Sequence, residues 1–189
     1  MTSKRNTEPW SQKLEIDAIR KAQKNIKHFE LLYNQHFECI FRFIIRKTND
    51  EHLTADLTSK VFLNAMHAIH KYEIRGVPFG AWLYRIANNE INKHFIDQKK
   101  RFLYLERNTI NNVITCDQVE EKECRIEAIK ELIQELNELE IKIIELKYFE
   151  NKNFKEISFI LDKKESAVKM KLYRALSKIK EKFYKKSNQ

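Results

Sequence analysis

The sequence has few of the residues that form tight turns and few cysteines. Only 2 glycines and 2 prolines occur among 189 residues, whereas lysine, glutamate and leucine, which favour helices, are abundant. Because hairpins depend on glycine and proline at their turns, this composition excludes a turn-rich all-β protein and predicts an all-α fold. The 3 cysteines lack CxxC or Cys-His spacing, and their odd number fits no closed disulfide framework.

Motifs of membrane proteins and of common enzymes are also missing. The most apolar stretch, CIFRFII, is interrupted by Arg42, and the sequence begins without the apolar core of a signal peptide. No phosphate-binding glycine loop, HExxH or GxSxG motif occurs, and His67 and His70 have no third metal ligand nearby in sequence. The sequence therefore predicts a cytoplasmic protein with no membrane insertion, no metal and no cofactor, and it disfavours an enzyme such as a helical hydrolase.

Positive charge is abundant and unevenly distributed. The net charge is +9, and residues 163–186 carry ten basic and two acidic side chains, whereas residues 117–140 carry nine acidic and three basic ones. A small protein this basic usually has a polyanionic partner, so nucleic acid and an acidic membrane surface are both candidates. The positive charge points to the C-terminal part of the chain as the contact region.

Apolar residues at helical spacing predict a series of helices in the first half. A short and a long helix, separated by a break near Asn25, should cover residues 14–45, and another should follow the turn at Asn49 and Asp50. The segment YEIRGVPFG contains both glycines of the chain, Gly76 and Gly80, so we expect a loop there. A further helix should begin at about Phe79 and end in the basic cluster at residues 99–101.

Periodicity fades after this helix, in a stretch rich in Asn, Thr and acidic residues. We therefore expect two small helical modules, an N-terminal helical bundle and a C-terminal helix-turn-helix, joined by a flexible linker. The expected boundaries are an N-terminal extension at residues 1–25, the first module at 26–101, the linker at 102–125 and the second module at 126–186.

The segment FKEISFILDKKESAVKMKLYRAL predicts two short helices joined by a tight turn at Asp162, the helix-turn-helix arrangement. If Val168, Leu172 and Ala175 face inward, the opposite face of the second helix is polar and basic. Its cations would contact phosphates, and its other side chains would reach base edges in a major groove. The alternative is a solvated lysine-rich face on an ordinary helical hairpin. The candidates on this face are Lys163, Lys164, Ser166, Lys169, Met170 and Tyr173.

The first module has its own candidates for nucleic-acid contact. Tyr72, Arg75 and Phe79 combine rings that stack on unpaired bases with a cation for the backbone, whereas Trp82 is expected to pack in the core. The helix that follows carries a polar strip whose asparagine amides are suited to base edges. The alternative is that these side chains only solvate or cap the helix. The strip consists of Arg85, Asn88, Asn89 and Asn92.

Three segments resemble the extracytoplasmic-function (ECF) type of bacterial sigma factor, in the order that family has them. DLTSKVF (residues 56–62) resembles its polymerase-binding helix, FGAWLYRIANNE (residues 79–90) resembles its promoter-melting helix, and residues 139–179 resemble its second module. Asn151 and Asp162 stand at turns where the family has glycine, and both residue types accept left-handed geometry.

The resemblance implies a sigma factor that directs promoter-specific transcription initiation and is not itself an enzyme. It implies core RNA polymerase, through its β′ clamp and β flap, and promoter DNA as partners, with an anti-sigma factor as a further candidate. It also assigns Lys171 and Arg174 to the minus-thirty-five contact, and Tyr72, Arg75 and the strip of residues 85–92 to the minus-ten element. Docking on polymerase is assigned to Asp56, Leu57, Thr58, Val61 and Phe62. A transcriptional regulator without a polymerase contact is the competing interpretation.

Overall fold

The computed structural model describes residues 11–74, 76–106 and 136–187, and it divides the chain into two compact units, residues 1–95 and 96–189. Over the described residues the protein is helical and contains no strand, as composition predicts. The helices that begin in the first unit are α1 (Gln12–Lys24), α2 (Phe29–Thr48), α3 (Glu51–Ala68) and α4 (Phe79–Glu106).

Local polar residues set the ends of the first three helices. Ser11 caps α1 through its side chain, and Asn25 adopts an extended conformation that ends the helix. Asn49 ends α2 in the left-handed conformation, at φ 48°, and Asp50 then caps α3 by accepting a hydrogen bond from the Leu53 N–H. These helix ends confirm the predicted breaks at residues 25 and 49–50. Asn and Asp favour such positions because they tolerate these backbone conformations and their side chains form hydrogen bonds with nearby backbone groups.

The core of the first unit lies where α1, α2, α3 and the first turns of α4 meet. Phe43 of α2 packs edge-on against Tyr84 of α4, with ring centroids 4.9 Å apart, and both rings are buried. Full burial of side chains of this size contributes roughly 1.5–3 kcal/mol each. Helix α1 packs against α2 and belongs to this unit, although it lies within residues 1–25, which were predicted as an N-terminal extension.

Helix α4 begins at the predicted residue but differs from the prediction in two respects. Gly80 lies inside its first turn, so the loop at residues 72–78 contains only Gly76, at φ 70°. The helix also runs to Glu106, into the segment predicted as linker, because no glycine or proline follows to stop it.

In the second unit, α5 (Glu138–Ile144) continues into a π-helical turn at Glu145–Phe149, and α6 (Phe154–Leu161) and α7 (Glu165–Ser187) follow. Reciprocal capping boxes begin α5 and α6: Asn137 pairs with Glu140, and Asn153 pairs with Glu156. Although burial opposes ionisation, the Asn137 backbone N–H and the Lys178 ammonium hold the pKa of Glu140 below its ordinary value. The Glu140–Lys178 ion pair, at 3.1 Å, thereby ties α7 to α5.

The turn between α6 and α7 has the predicted geometry. Asp162 is left-handed at φ 53°, and Asn151 in the preceding turn is left-handed at φ 51°. Val168, Leu172 and Ala175 are buried, which confirms the predicted inward face of α7. The prediction of a short second helix is wrong, because α7 continues to Ser187 along a stretch free of helix-breaking residues.

Candidate nucleic-acid interface

The outward face of α7 presents cations and two large apolar side chains together. Met170 and Tyr173 are 52% and 61% exposed, although side chains of this kind are usually buried. Exposed residues predicted for this face also include Lys163, Lys164, Ser166, Lys169 and Arg174, while Lys171 is half-buried at its edge. This combination can contact phosphates through the cations and base edges or thymine methyl groups through Met170 and Tyr173.

Lys169 is engaged inside the second unit. Its ammonium lies 2.7 Å from a carboxylate oxygen of Glu165 and 5.4 Å from the centroid of the Phe154 ring. Lys147, on the π-helical turn, lies 5.0 Å from the same ring. The side chain of Lys169 is therefore oriented from both helices of the motif, and a phosphate that takes this cation must compete with Glu165.

Helix α7 starts at a fixed angle because the turn before it is held by hydrogen bonds. The Lys163 N–H donates to the Ser158 carbonyl at 3.0 Å, and the Ser158 hydroxyl donates to the Lys163 carbonyl. These bonds satisfy groups that the end of α6 leaves unpaired. Sequence analysis identified Asp162 but not Ser158, whose serine side chain gave no distinctive signal.

In the first unit, the loop at residues 72–78 rests on a cluster of aromatic rings. The Tyr72 ring packs 4.8 Å from Trp82 and 5.3 Å from Phe79 between centroids. Burial first, and then the nearby Glu15 charge, raise the pKa of Tyr72 to about 12, so its phenol is neutral at physiological pH. Phe79 is fully buried and packs against Tyr72 from the interior of the unit. Tyr72 and Trp82 are half-buried. Arg75 lies outside the described residues.

Two polar side chains of α1 hold the ends of this loop. The Gln23 side-chain amide donates to the carbonyls of Ile69, at 3.1 Å, and Tyr72, at 2.8 Å. A carboxylate oxygen of Glu15 accepts a hydrogen bond from the Phe79 N–H at 3.1 Å, and Glu15 is buried. The sequence predicts neither contact, since a glutamate and a glutamine on a helix with many polar residues give no local sign of burial.

A buried histidine completes this site. His36 Nε2 lies 3.5 Å from the second Glu15 oxygen. Burial alone would lower the pKa of His36, but hydrogen bonds with Cys39 and Glu15 outweigh that effect and raise it above 6.5. A Cβ atom at Gly80 would lie 3.4 Å from the imidazole, so Gly80, inside the first turn of α4, lies against His36.

The polar strip on α4 is divided by burial. Asn89 is exposed, Arg85 and Asn92 are half-buried, and Asn88 is only 8% exposed. Lys93 and Ile96, which follow Asn89 by four and seven positions, continue its exposed face. Asn89 therefore has the most accessible amide of the strip, whereas Asn88 faces the interior.

Helix α3 turns most of its predicted polymerase-docking residues inward. Leu57, Thr58, Val61 and Phe62 are buried, and of the five candidates only Asp56 is exposed. These four side chains recur at helical spacing and therefore share the buried face of α3. They pack α3 against its neighbours and do not form an exposed surface.

An exposed apolar surface nevertheless lies beside the buried Phe62 ring. Tyr33 of α2 packs edge-on against Phe62 at 4.7 Å between centroids and is partly exposed, and Leu63 of α3 is 50% exposed.

Among the described residues no group of side chains is arranged to hold a metal ion. None of the described helices is both long enough and apolar enough to cross a membrane.

Models of two known protein families match this chain. Residues 32–101 match the family model for Sigma-70 region 2, and residues 126–179 match the model for Sigma-70, region 4. Together these matches cover well over half of the chain.

Individual proteins agree with the family models. The ECF RNA polymerase sigma factor BldN of Streptomyces coelicolor is 27% identical over 169 residues, which cover 85% of this chain and 62% of BldN. The ECF RNA polymerase sigma factor SigM of Bacillus subtilis is 29% identical over 154 residues, covering 79% of this chain and 91% of SigM.

Solved structures share the fold. In the structure of CnrH in complex with the cytosolic domain of CnrY, the matched chain has a TM-score of 0.60 and 20% sequence identity, with 88% of this chain and 94% of that chain covered. With both sigma-70 regions present in this order and ECF sigma factors among its relatives, the chain belongs to the ECF type of sigma factor, the non-catalytic subunit that directs RNA polymerase to promoters.

Proposed function

We propose that this chain acts in the cytoplasm with core RNA polymerase, captures the minus-ten element with its first unit and reads the minus-thirty-five element with its second. The observation that carries the proposal is the pairing of a cationic α7 face, with Met170 and Tyr173 exposed on it, with an aromatic loop in a separate unit. One surface suits duplex DNA and the other suits unpaired bases.

For the minus-thirty-five element, we assign the phosphate and base contacts to residues according to their exposure. Lys163, Lys164 and Arg174 neutralise phosphates, which makes binding salt-dependent. Met170 and Tyr173, together with Ser166 and Lys169, face the bases. Lys171, half-buried at the edge of the helix, reaches the backbone.

For the minus-ten element, the loop at residues 72–78 and the exposed face of α4 hold the unpaired non-template strand. Tyr72 supplies a neutral ring, Arg75 a cation, and Asn89 an exposed amide, with Arg85 and Asn92 at the sides. Unstacking a base costs a few kcal/mol, and contacts of this kind return it.

Docking on polymerase is proposed for the surface around α3. Asp56, Leu63 and Tyr33 are its exposed members, and we propose the β′ clamp as their partner and the β flap as that of the second unit. A sequestering anti-sigma protein is a further proposed partner, for which the exposed apolar side chains of this surface are suitable.

Run-off transcription with core RNA polymerase and a library of genomic promoter fragments tests this function. We expect transcripts that start at a defined set of promoters only when the chain is added, and a holoenzyme recovered by pull-down. Binding to a duplex operator without polymerase, combined with no promoter-specific transcript, would instead identify a plain transcriptional regulator.

A further inference from the structure

The loop at residues 72–78 is fixed at both ends by a helix that lies far away in sequence. Gln23, 46 and 49 positions before its acceptors, donates to the carbonyls of Ile69 and Tyr72. Glu15, 64 positions before Phe79, accepts the hydrogen bond of the backbone N–H with which α4 begins. One end of the loop is therefore held by a donor and the other by an acceptor.

The spacing of these two side chains gives α1 the role of a spacer. Glu15 and Gln23 are eight residues apart, about 12 Å along a helix axis at 1.5 Å per residue. Between them, Ala18, Ile19 and Ala22 are buried and seat α1 firmly on the unit. A rigid helix thus sets the separation between the start and the end of the loop.

The chemistry of both contacts favours a precise position over simple packing. The Tyr72 carbonyl lies just past the end of a short 3-10 turn, where helical partners run out, and the Ile69 carbonyl, at the start of that turn, also accepts the Tyr72 backbone N–H. The Glu15 carboxylate sits at the positive end of α4, where a negative charge is favoured. An apolar side chain would fill the same space without fixing where these backbone groups lie.

We infer that α1 is a positioning element for the minus-ten contact, with Gln23 and Glu15 holding the loop in the geometry that receives an unpaired base. The inference rests on the proposed role of that loop. It assigns to α1 a part in strand opening without any contact between α1 and DNA, so Gln23 and Glu15 are positioning residues.

The test uses full-length protein assembled with core polymerase, on a promoter that wild-type holoenzyme transcribes. Q23E replaces the donor with an oxygen facing two carbonyls, and Q23M removes the donor at similar volume without adding charge. Q12E is the matched control, because Gln12 is exposed on the same helix and undergoes the same chemical change. The readout is the rate of open-complex formation, followed by permanganate reactivity of minus-ten thymines.

We expect Q23E and Q23M to slow opening by about tenfold or more, since each loses two hydrogen bonds of ordinary strength. Affinity for core polymerase and for duplex minus-thirty-five DNA should stay within about twofold of wild type, and Q12E should match wild type throughout. A wild-type opening rate in Q23M would overturn the inference. An equal loss of opening, core binding and minus-thirty-five binding would also overturn it, because the role would then be structural only. If wild-type holoenzyme itself produces no promoter-specific transcript, the proposed function fails instead.

Discussion

The Lys169 ammonium, a proposed DNA contact, is already engaged by another side chain of the same helix. Glu165 holds it at 2.7 Å, and both residues are roughly half exposed. Exposed pairs of this type contribute little to stability, about 0.3–0.5 kcal/mol. Their larger effect is expected on the proposed DNA binding, since the carboxylate would compete with the DNA for the cation and add a negative charge near it.

Replacing this carboxylate in E165Q should therefore strengthen duplex minus-thirty-five binding by the holoenzyme, on the order of threefold at low salt and less at high salt. Fluorescence anisotropy with a labelled duplex measures the change. E181Q, about 24 Å further along α7 at 1.5 Å per residue, is the matched control and should have little effect. Weaker binding by E165Q would place Glu165 itself on a base and contradict the competition.

His36 makes the stability of the first unit dependent on pH. The pKa of His36 is raised in the folded state, because its hydrogen bonds with Cys39 and Glu15 outweigh the opposing effect of burial. A raised pKa means that the folded state binds the proton more tightly than the unfolded state does. The resulting stabilisation is complete below the unfolded-state value of 6.5 and is lost as pH rises through the folded-state pKa.

We accordingly expect H36Q to lower the free energy of unfolding more at pH 5.5 than at pH 8, as urea titrations at roughly these two pH values would measure. H52Q, at an exposed position of α3, is the matched control. Similar losses for H36Q at both pH values would show that the imidazole contributes by packing alone.

Individual residues also show which features of the structure could be predicted from the sequence and which could not. Asp162 and Asn151 were expected at left-handed turns, and Val168 and Leu172 were expected inside; local propensity and a period of 3.6 determine such features. The burial of Glu15 follows instead from a partner 64 positions away. No local pattern contains that information.

On the scale of elements, α3 has a buried face and an exposed face, and docking on polymerase is proposed for the exposed one. Its inward face carries Leu57, Val61 and Phe62, and its outward face carries Asp56 and Leu63. Sequence resemblance assigned docking to α3 through residues that are mostly buried, and the docking role of this helix stays a prediction. Four of the five residues that the resemblance assigned to docking are buried, so exposure was needed to find the face that a partner can reach.

The outward face of α3 gives a direct prediction. L63E should weaken binding to core polymerase by about tenfold or more, since a charge replaces an exposed apolar contact, while leaving the fold unchanged. The matched control is I26E, at a 3-10 turn before α2, where the apolar side chain is 45% exposed compared with 50% for Leu63. Surface plasmon resonance with immobilised core measures both. Equal losses from the two variants would remove α3 from the proposed docking surface.

On the scale of the whole molecule, the proposal requires one chain to serve two DNA elements at once. Two turns of B-DNA measure about 70 Å. Because α4 continues to Glu106, residues 107–125 are all that is left of the predicted linker. At about 3.3–3.6 Å per residue, that segment of 19 residues reaches about 63–68 Å when fully extended. The proposal therefore requires nearly the full extended length of this segment.

Deleting residues 112–121 should therefore abolish run-off transcription, by about a hundredfold or more, because the nine remaining residues reach only about 30 Å. Replacing the same ten residues with alternating glycine and serine keeps the length and should preserve transcription within a few fold. Circular dichroism and core pull-down confirm that both proteins fold and bind polymerase. Transcription that survives the deletion would mean that the two units need not engage their promoter elements together, and loss in the glycine-serine protein would mean that the segment acts through its own side chains rather than its length.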